Sequence, residues 1–210
     1  MKAVLTAIAL TLALPATAQD RAGDFDYYVM ALSWSPNWCD QTGRNRGSPQ
    51  CADGADFGWV LHGLWPQFEA GWPQDCRTPH APPSRAMTEG MADIMGTDGL
   101  AWYQWNKHGT CSGLTARAYF ETARAAYDGI RIPQAFAALT RDVTLPASLI
   151  EDAFVDANPD LPRDGVTVTC KDGAIQEARI CLTKDLEPRN CGADTRRDCT
   201  LTSAAFGAID

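Results

Sequence analysis

Apolar and polar positions in the first third of the chain predict two strands joined by a polar segment. From Asp24 to Trp34 the two alternating faces are both mostly apolar, which is typical of a strand buried within a sheet. A second strand is predicted over Phe57–Leu61, with His62 at its end. The segment from Cys39 to Cys51 is rich in Gly, Asn, Arg and Ser, which predicts a loop closed by a Cys39–Cys51 disulfide.

Helical patterns predominate in the middle of the chain. Ser84 caps a predicted helix that runs to Met95, and Thr97 or Asp98 begins another, which Gly109 is placed to end. Three more helices are predicted, over Thr115–Ile130, Ile132–Leu139 and Pro146–Ala157. The first of these has an apolar stripe that indicates core packing, formed by Ala118, Tyr119, Ala125 and Ala126.

Strand patterns return near the C-terminus. They cover Val166–Cys170 and Ala174–Thr183, and the Lys171-Asp172-Gly173 segment between them is a hairpin turn signal. The tail after Glu187 is predicted to be a loop held by Cys191 and Cys199. Because the sequence has no internal repeat, low-complexity tract or linker, we predict one α+β domain.

The N-terminal residues 1–18 predict a secretory signal. Met1-Lys2 precedes an apolar run that ends at Leu14, and Ala16-Thr17-Ala18 supplies small residues before the cleavage point. A membrane anchor is disfavoured because the run is shorter than the roughly 20 residues that span a bilayer. We therefore expect a domain over residues 19–210 that is periplasmic or secreted and does not associate with a membrane.

Charge and cysteine content narrow the function classes. The formal net charge is -8, so the chain lacks the excess of Lys and Arg with which proteins bind polyanions indiscriminately. Any attraction to nucleic acid must then be local. The eight cysteines favour up to four disulfides in an oxidising compartment. No CxxC pair occurs in the sequence, which argues against a cysteine-ligated zinc site.

Two of the three histidines lie in aromatic-rich stretches that contain glycine, Phe57–Gln67 and Trp102–Cys111. On a helix over residues 98–109, one face presents the polar side chains Gln104, Lys107 and His108. Trp102 and Trp105 are expected to point inward. We expect the two stretches to face each other across a cleft.

Two histidines and a lysine suit the cleavage of RNA by proton transfer. One imidazole takes the proton of a 2′-hydroxyl and the other protonates the departing 5′-oxygen, while Lys107 stabilises charge on the phosphate. The attacking group belongs to RNA alone, and neither a metal nor a cofactor is needed. Trp65 suits a stacking platform for a base as well as it suits core packing.

Other interpretations of these residues are weaker. A single histidine is more often structural, but two in such stretches favour a site. No GxSxG motif is present, and Cys111 beside His108 is expected to be paired rather than a free nucleophile. Carboxylate pairs for a glycosidase are too unspecific to assess. His80, Arg44 and Arg46 are most simply interpreted as solvated residues in loops.

At these two stretches the sequence resembles the ribonuclease T2 family. The first family signature is matched in full by His62-Gly63-Leu64-Trp65-Pro66. The second is matched in most positions by Trp105 and Lys107-His108-Gly109-Thr110-Cys111. The similarity extends over residues 25–113, and two signatures in the right order are far more specific than one.

The resemblance implies an α+β fold built on an antiparallel sheet packed with several helices and held by disulfides. It implies an endoribonuclease that cuts single-stranded RNA with weak base specificity through a 2′,3′-cyclic phosphate. By position, His62 corresponds to the general acid, His108 to the general base and Lys107 to the residue that stabilises the phosphate. Trp65 and Gln67 correspond to the base-binding site, where an acidic residue is more common than Gln67.

The resemblance also bears on the cysteines. It implies the bridges Cys39–Cys51 and Cys76–Cys111, and nested pairs Cys170–Cys199 and Cys181–Cys191 are our expectation for the second half.

The sequence departs from the family pattern at Tyr103-Gln104, where His-Glu is common. We keep both as site residues, Tyr103 with substrate and Gln104 in catalysis, because an amide still donates a hydrogen bond to phosphate. The departure motivates an alternative, a catalytically impaired secreted protein that binds RNA or protein. A metal-dependent nuclease or phosphatase has little support from three histidines and scattered acids. We expect RNA as the partner and a monomer in solution.

Overall fold

The computed structural model describes residues 20–209, so the predicted signal over residues 1–18 lies outside the described part. Six strands form one sheet in the order β2-β1-β5-β6-β3, with β4 also paired to β5. The strands are β1 (Tyr27–Trp34), β2 (Trp59–Gln67), β3 (Val143–Leu145), β4 (Val166–Lys171), β5 (Ala174–Leu182) and β6 (Ala204–Phe206). All pairs are antiparallel except β5 with β6.

Six α-helices accompany the sheet in the part of the chain that the structure describes. They are α1 (Ser35–Trp38), α2 (Arg85–Glu89), α3 (Ala92–Met95), α4 (Asp98–Lys107), α5 (Ala116–Gly129) and α6 (Ala147–Ala157). Hydroxyl caps begin three of them: Ser84, Thr97 and Thr115 each accept a hydrogen bond from the backbone N–H three residues later. Every helix within residues 20–209 is too short or too polar to span a lipid bilayer.

Strand β1 lies between β2 and β5 and is buried on both faces, as its pattern predicted. One face packs into the main core, where Trp34 stacks on Phe206 with ring centroids 4.2 Å apart. The other face holds Tyr27 and Val29 beside the Cys181–Cys191 disulfide. Burial of each large apolar side chain stabilises the folded protein by about 1.5–3 kcal/mol. Because β1 places such side chains on both faces of the sheet, it contributes to the packing of both.

The fold class is as predicted, but several elements differ from the sequence expectations. Residues 39–51 form short helical turns instead of an irregular loop. The helix expected over 84–95 is interrupted at Gly90. Residues 132–139 contain only a 3-10 turn at Gln134–Phe136, since Pro133 removes a helical N–H donor. The tail is not all loop, because it contributes β6, which pairs with β3.

Two side-chain orientations were also wrong. Trp102 is 45% exposed instead of pointing inward, and Ala125 is exposed instead of belonging to the apolar stripe of α5. The core-facing side carries Trp105 in α4 and Tyr119 and Phe120 in α5, and Trp102 and Ala125 lie off it.

Four disulfides close the described part of the chain, and it has no free cysteine. The pairs are those expected from the sequence: Cys39–Cys51, Cys76–Cys111, Cys170–Cys199 and Cys181–Cys191. The second bridge ties the segment after α4 to the loop before α2, and the last ties the tail to β5. Both therefore hold chain segments that adjoin the two histidine stretches.

Candidate active site

His62 lies in the middle of β2 rather than at the end of a strand. The pairing of β2 with β1 shifts at this point: Gly63 faces Ala31 and Leu61 faces Leu32, so His62 is the extra residue of a β-bulge. Bulges bend a strand and redirect a side chain, and they are common beside active sites. The strand was predicted to end at His62, but it continues through the bulge to Gln67.

Helix α4 supplies the opposite wall of the site. Its last turns direct Gln104, Lys107 and His108 toward the same cavity, as the helical spacing predicted. Gly109 does not end the helix through a left-handed conformation. It allows close packing instead, because a Cβ at this position would lie 2.6 Å from the Trp105 ring and 3.0 Å from the Tyr119 ring. The two aromatic side chains thus support the backbone that presents His108.

The cavity between β2 and α4 has a volume of about 360 Å³. Besides the predicted residues, its lining contains Trp72, Gln176, Glu177, Arg179, Asp194 and Thr195. Trp65 joins the two histidines across it, since the Trp65 ring centroid lies 5.3 Å from that of His62 and 5.3 Å from that of His108. The Trp65 Nε1–H donates a hydrogen bond of 2.8 Å to Gln104 Oε1.

His108 is buried and stacked against Trp65. Burial, together with the positive charges of Lys107 and His62, lowers the pKa of His108 to about 3. In the described part of the chain its Nδ1 has no hydrogen-bond partner. Such an imidazole is neutral at any pH above this value, so it is able to accept a proton.

His62 contacts a carboxylate that the sequence analysis missed. Its Nδ1 lies 2.5 Å from Glu177 Oε1, and the other oxygen of Glu177 accepts from Arg179 Nε at 3.0 Å and Nη2 at 2.8 Å. Burial alone raises the pKa of Glu177, but His62 and Arg179 outweigh it and hold that pKa below its usual value. The Glu177 side chain is therefore ionised.

The structure brings all of the predicted site residues together at one cavity: His62, Trp65, Gln67, Tyr103, Gln104, Lys107 and His108. His80 lies outside its lining, as expected for a loop position. The missed residues Glu177 and Arg179 had a sequence signal, since both are charged, two positions apart, on one face of a strand pattern. In the residues that the structure describes, no group of three or more His, Cys, Asp or Glu side chains is arranged to hold a metal ion.

A second, larger cavity of about 730 Å³ adjoins the first at His62. The two share four lining residues, His62, Tyr103, Gln176 and Glu177. Tyr103 lines both cavities and is 52% exposed, and Trp72 lines only the smaller one and is 54% exposed. The two cavities together form one groove, which His62 and His108 line.

The model of the Ribonuclease T2 family matches residues 25–191. Among curated proteins, the chain is 42% identical over 106 residues to a ribonuclease of Aeromonas hydrophila, an alignment that covers 50% of this chain and 46% of that protein. It is 32% identical over 140 residues to Ribonuclease I of Escherichia coli (strain K12), covering 48% and 52%. The alignments therefore span about half the length of these curated relatives.

Solved structures show the same fold. The structure of RNase NT in complex with 5′-AMP matches with a TM-score of 0.68 and 22% identity, over 88% of this chain and 98% of that one. An RNase-related protein from Calystegia sepium matches with a TM-score of 0.68 and 21% identity, over 89% and 98%.

Proposed function

The chain belongs to the ribonuclease T2 family, and on this basis we propose that it is an endoribonuclease. It cleaves single-stranded RNA through a 2′,3′-cyclic phosphate intermediate, with weak base specificity. The observation that supports this most directly is the pair of imidazoles, His62 and His108, which flank Trp65 in one cavity with Lys107 beside them. Two such groups provide the acid and the base that transfer of the phosphoryl group to the 2′-oxygen requires.

His108 is the general base in this mechanism. Its neutral imidazole removes the proton of the 2′-hydroxyl, and the 2′-oxygen forms a bond to phosphorus while the bond to the 5′-oxygen breaks. The lowered pKa of His108 keeps the base free of a proton before each turnover. Its burial beside Lys107 makes the protonated state costly, which favours the release of that proton once the cyclic phosphate has formed.

His62 is the general acid. It donates a proton to the departing 5′-oxygen, so that the leaving group departs as an alcohol rather than an alkoxide. Lys107 stabilises the negative charge on the phosphate oxygens in the transition state. Gln104 uses Oε1 to accept from Trp65, which leaves its NH₂ group as a donor to the same oxygens.

The groove suits a polymer better than a single nucleotide. Its two cavities meet at His62, so the nucleotides on either side of the scissile phosphate have separate space. Exposed Trp72 and Tyr103 offer ring faces to bases, and each such stack is worth about 1–3 kcal/mol without strong base preference. Trp65 and Gln67 also line the smaller cavity and complete the base site.

We further propose that the protein acts outside the cytoplasm, in the periplasm or the medium, as a monomer. Four disulfides favour an oxidising compartment. The acidic chain attracts RNA only at the groove, which is compatible with rapid product release.

The test is cleavage of a short defined RNA by the purified protein in the presence of EDTA, with the products analysed by mass. Cyclic-phosphate ends that disappear in His62→Ala and in His108→Ala support the proposal. The matched control is His80→Ala, which removes a histidine outside the cavity lining and should retain activity. Intact RNA at every pH would refute the proposal and leave the impaired binding protein as the function, whereas loss of cleavage only in EDTA would indicate a metal-dependent nuclease.

A further inference from the structure

Glu177 is a carboxylate in the middle of the sheet. It lies on β5 opposite Ser33 of β1 and Thr169 of β4, and only 2% of its surface is exposed. Placing an ionised carboxylate in such a position is costly unless both oxygens are satisfied. They are satisfied here by only two side chains in the described part of the chain, His62 on one oxygen and Arg179 on the other.

We propose that Glu177 is the positioning residue of His62 and holds its ring in one tautomer, with the Nδ1 proton on the carboxylate side and Nε2 left for the substrate. The kinetic effects expected from this role rest on the proposed function, whereas the tautomer of His62 does not. Apart from His62 itself, none of the residues that the two family signatures assign to catalysis contacts Glu177 through a hydrogen bond. Gln104, at the position where a carboxylate is common, is neutral and is hydrogen-bonded to Trp65 instead.

The chemistry of the pair follows from the atoms in contact. An ionised carboxylate has no proton to give, so the 2.5 Å contact requires the hydrogen on His62 Nδ1. In the reaction, Nε2 then gives its proton to the 5′-oxygen and regains one when the cyclic product is released. Glu177 keeps its charge throughout, balancing the imidazolium before the transfer.

Arg179 fixes the carboxylate in turn. It binds one oxygen of Glu177 through two nitrogens, and its guanidinium lies 5.4 Å from the centroid of the Trp65 ring. Trp65 in turn stacks on His108. A continuous series of contacts therefore runs from Glu177 through Arg179 and Trp65 to His108. The side chain of His62 is one-third exposed, and in the described residues its only hydrogen bond is the one to Glu177.

The chain contains a matched control for this role. Glu151 on α6 is a second buried carboxylate, which accepts from the Val168 N–H at 3.1 Å and from Arg163 Nη2 at 3.3 Å. It lies outside both cavities of the groove and contacts no histidine. Glu177→Gln and Glu151→Gln therefore each replace a buried carboxylate that is paired with an arginine, but only the first alters the partner of His62.

The experiment compares the wild type, Glu177→Gln, Glu177→Asp and Glu151→Gln. Nitrogen-15 NMR of the histidine rings gives the tautomer of His62, and steady-state kinetics on a dinucleotide across pH gives kcat and KM. We expect the wild-type His62 to be protonated at Nδ1 and Glu177→Gln to lose this single tautomer. Its kcat should fall by about 10²-fold or more with little change in KM, and the alkaline limb of its pH profile should move to lower pH.

Glu177→Asp keeps a carboxylate and should recover part of kcat, and Glu151→Gln should keep both kcat and the pH profile of the wild type. An unchanged His62 tautomer in Glu177→Gln would overturn the proposal, and so would equal kinetics in Glu177→Gln and Glu151→Gln. The NMR measurement does not require catalysis. A wild type that cleaves no RNA but shows the Nδ1 tautomer would refute the proposed function and leave the pairing of Glu177 with His62 intact.

Discussion

Replacing the buried His108 with Phe should make the protein markedly less sensitive to acid. The variant keeps an aromatic ring against Trp65 and removes the only titratable group of this side chain. In the folded protein the pKa of His108 lies at about 3, because burial and two neighbouring positive charges oppose its protonation. In the unfolded chain the same histidine titrates at its ordinary value of 6.5.

The sign and size of the effect follow from proton linkage. Between these two values the unfolded chain binds a proton that the folded protein does not, so falling pH favours unfolding. Each pH unit in this window costs about 1.4 kcal/mol, and lowering the pH from about 6.5 to about 4 therefore costs the wild type about 3 kcal/mol through His108 alone. The loss should level off below about pH 3, where the folded protein also takes up the proton.

The assay is urea denaturation of the wild type and His108→Phe at a series of pH values. The difference between their free energies of unfolding should be constant above about pH 7.5 and should shift by about 3 kcal/mol in favour of the variant by about pH 4. Parallel curves over the whole range would refute the reasoning, since they would mean that His108 is as easily protonated in the folded protein as in the unfolded chain.

Three further substitutions test other parts of the structure. Gly63→Ala should reduce kcat/KM at least tenfold and destabilise the protein by about 1–3 kcal/mol, as measured by kinetics and thermal unfolding. The reason is that a Cβ at this position would overlap the Gln104 amide and the Trp65 indole nitrogen. Lys107→Gln should lower kcat by about 10²-fold with little change in KM, as measured on a dinucleotide substrate. Asn37→Ala should lower the free energy of unfolding by about 3 kcal/mol in urea titrations without altering kcat, because Asn37 donates to two carbonyls, at 2.7 and 3.0 Å, and accepts one N–H at 2.9 Å.

The polar face of α4 could be predicted from the sequence because a single local rule determines it. Helical spacing alone places Gln104, Lys107 and His108 together, and the structure has them on one cavity wall. The end of the strand containing His62 was harder to predict, since a polar side chain interrupts the apolar run at the bulge and resembles a strand end in the sequence. The partner of His62 lies 115 residues away, and no local pattern indicates that pairing.

The short strands β3 and β6 were missed for a related reason. Each has three residues, and their pairing depends on the tail reaching β5, where a single parallel contact joins Ala174 to Ala205. A three-residue segment is too short for a period of two to be distinguished from chance. The long hairpin of β4 and β5 was predicted correctly because two strand-like segments flank a turn signal at Asp172-Gly173, where both residues have positive φ.

The bulge at His62 also affects how the protein behaves among copies of itself. Strand β2 is an outer strand of the sheet, and the free edge of such a strand is a template on which another chain can add a strand. The extra residue at His62 interrupts the even spacing of that edge, and Pro66 in the same strand has no N–H to donate. The segment that holds His62 is thereby also a poor template for edge-to-edge aggregation.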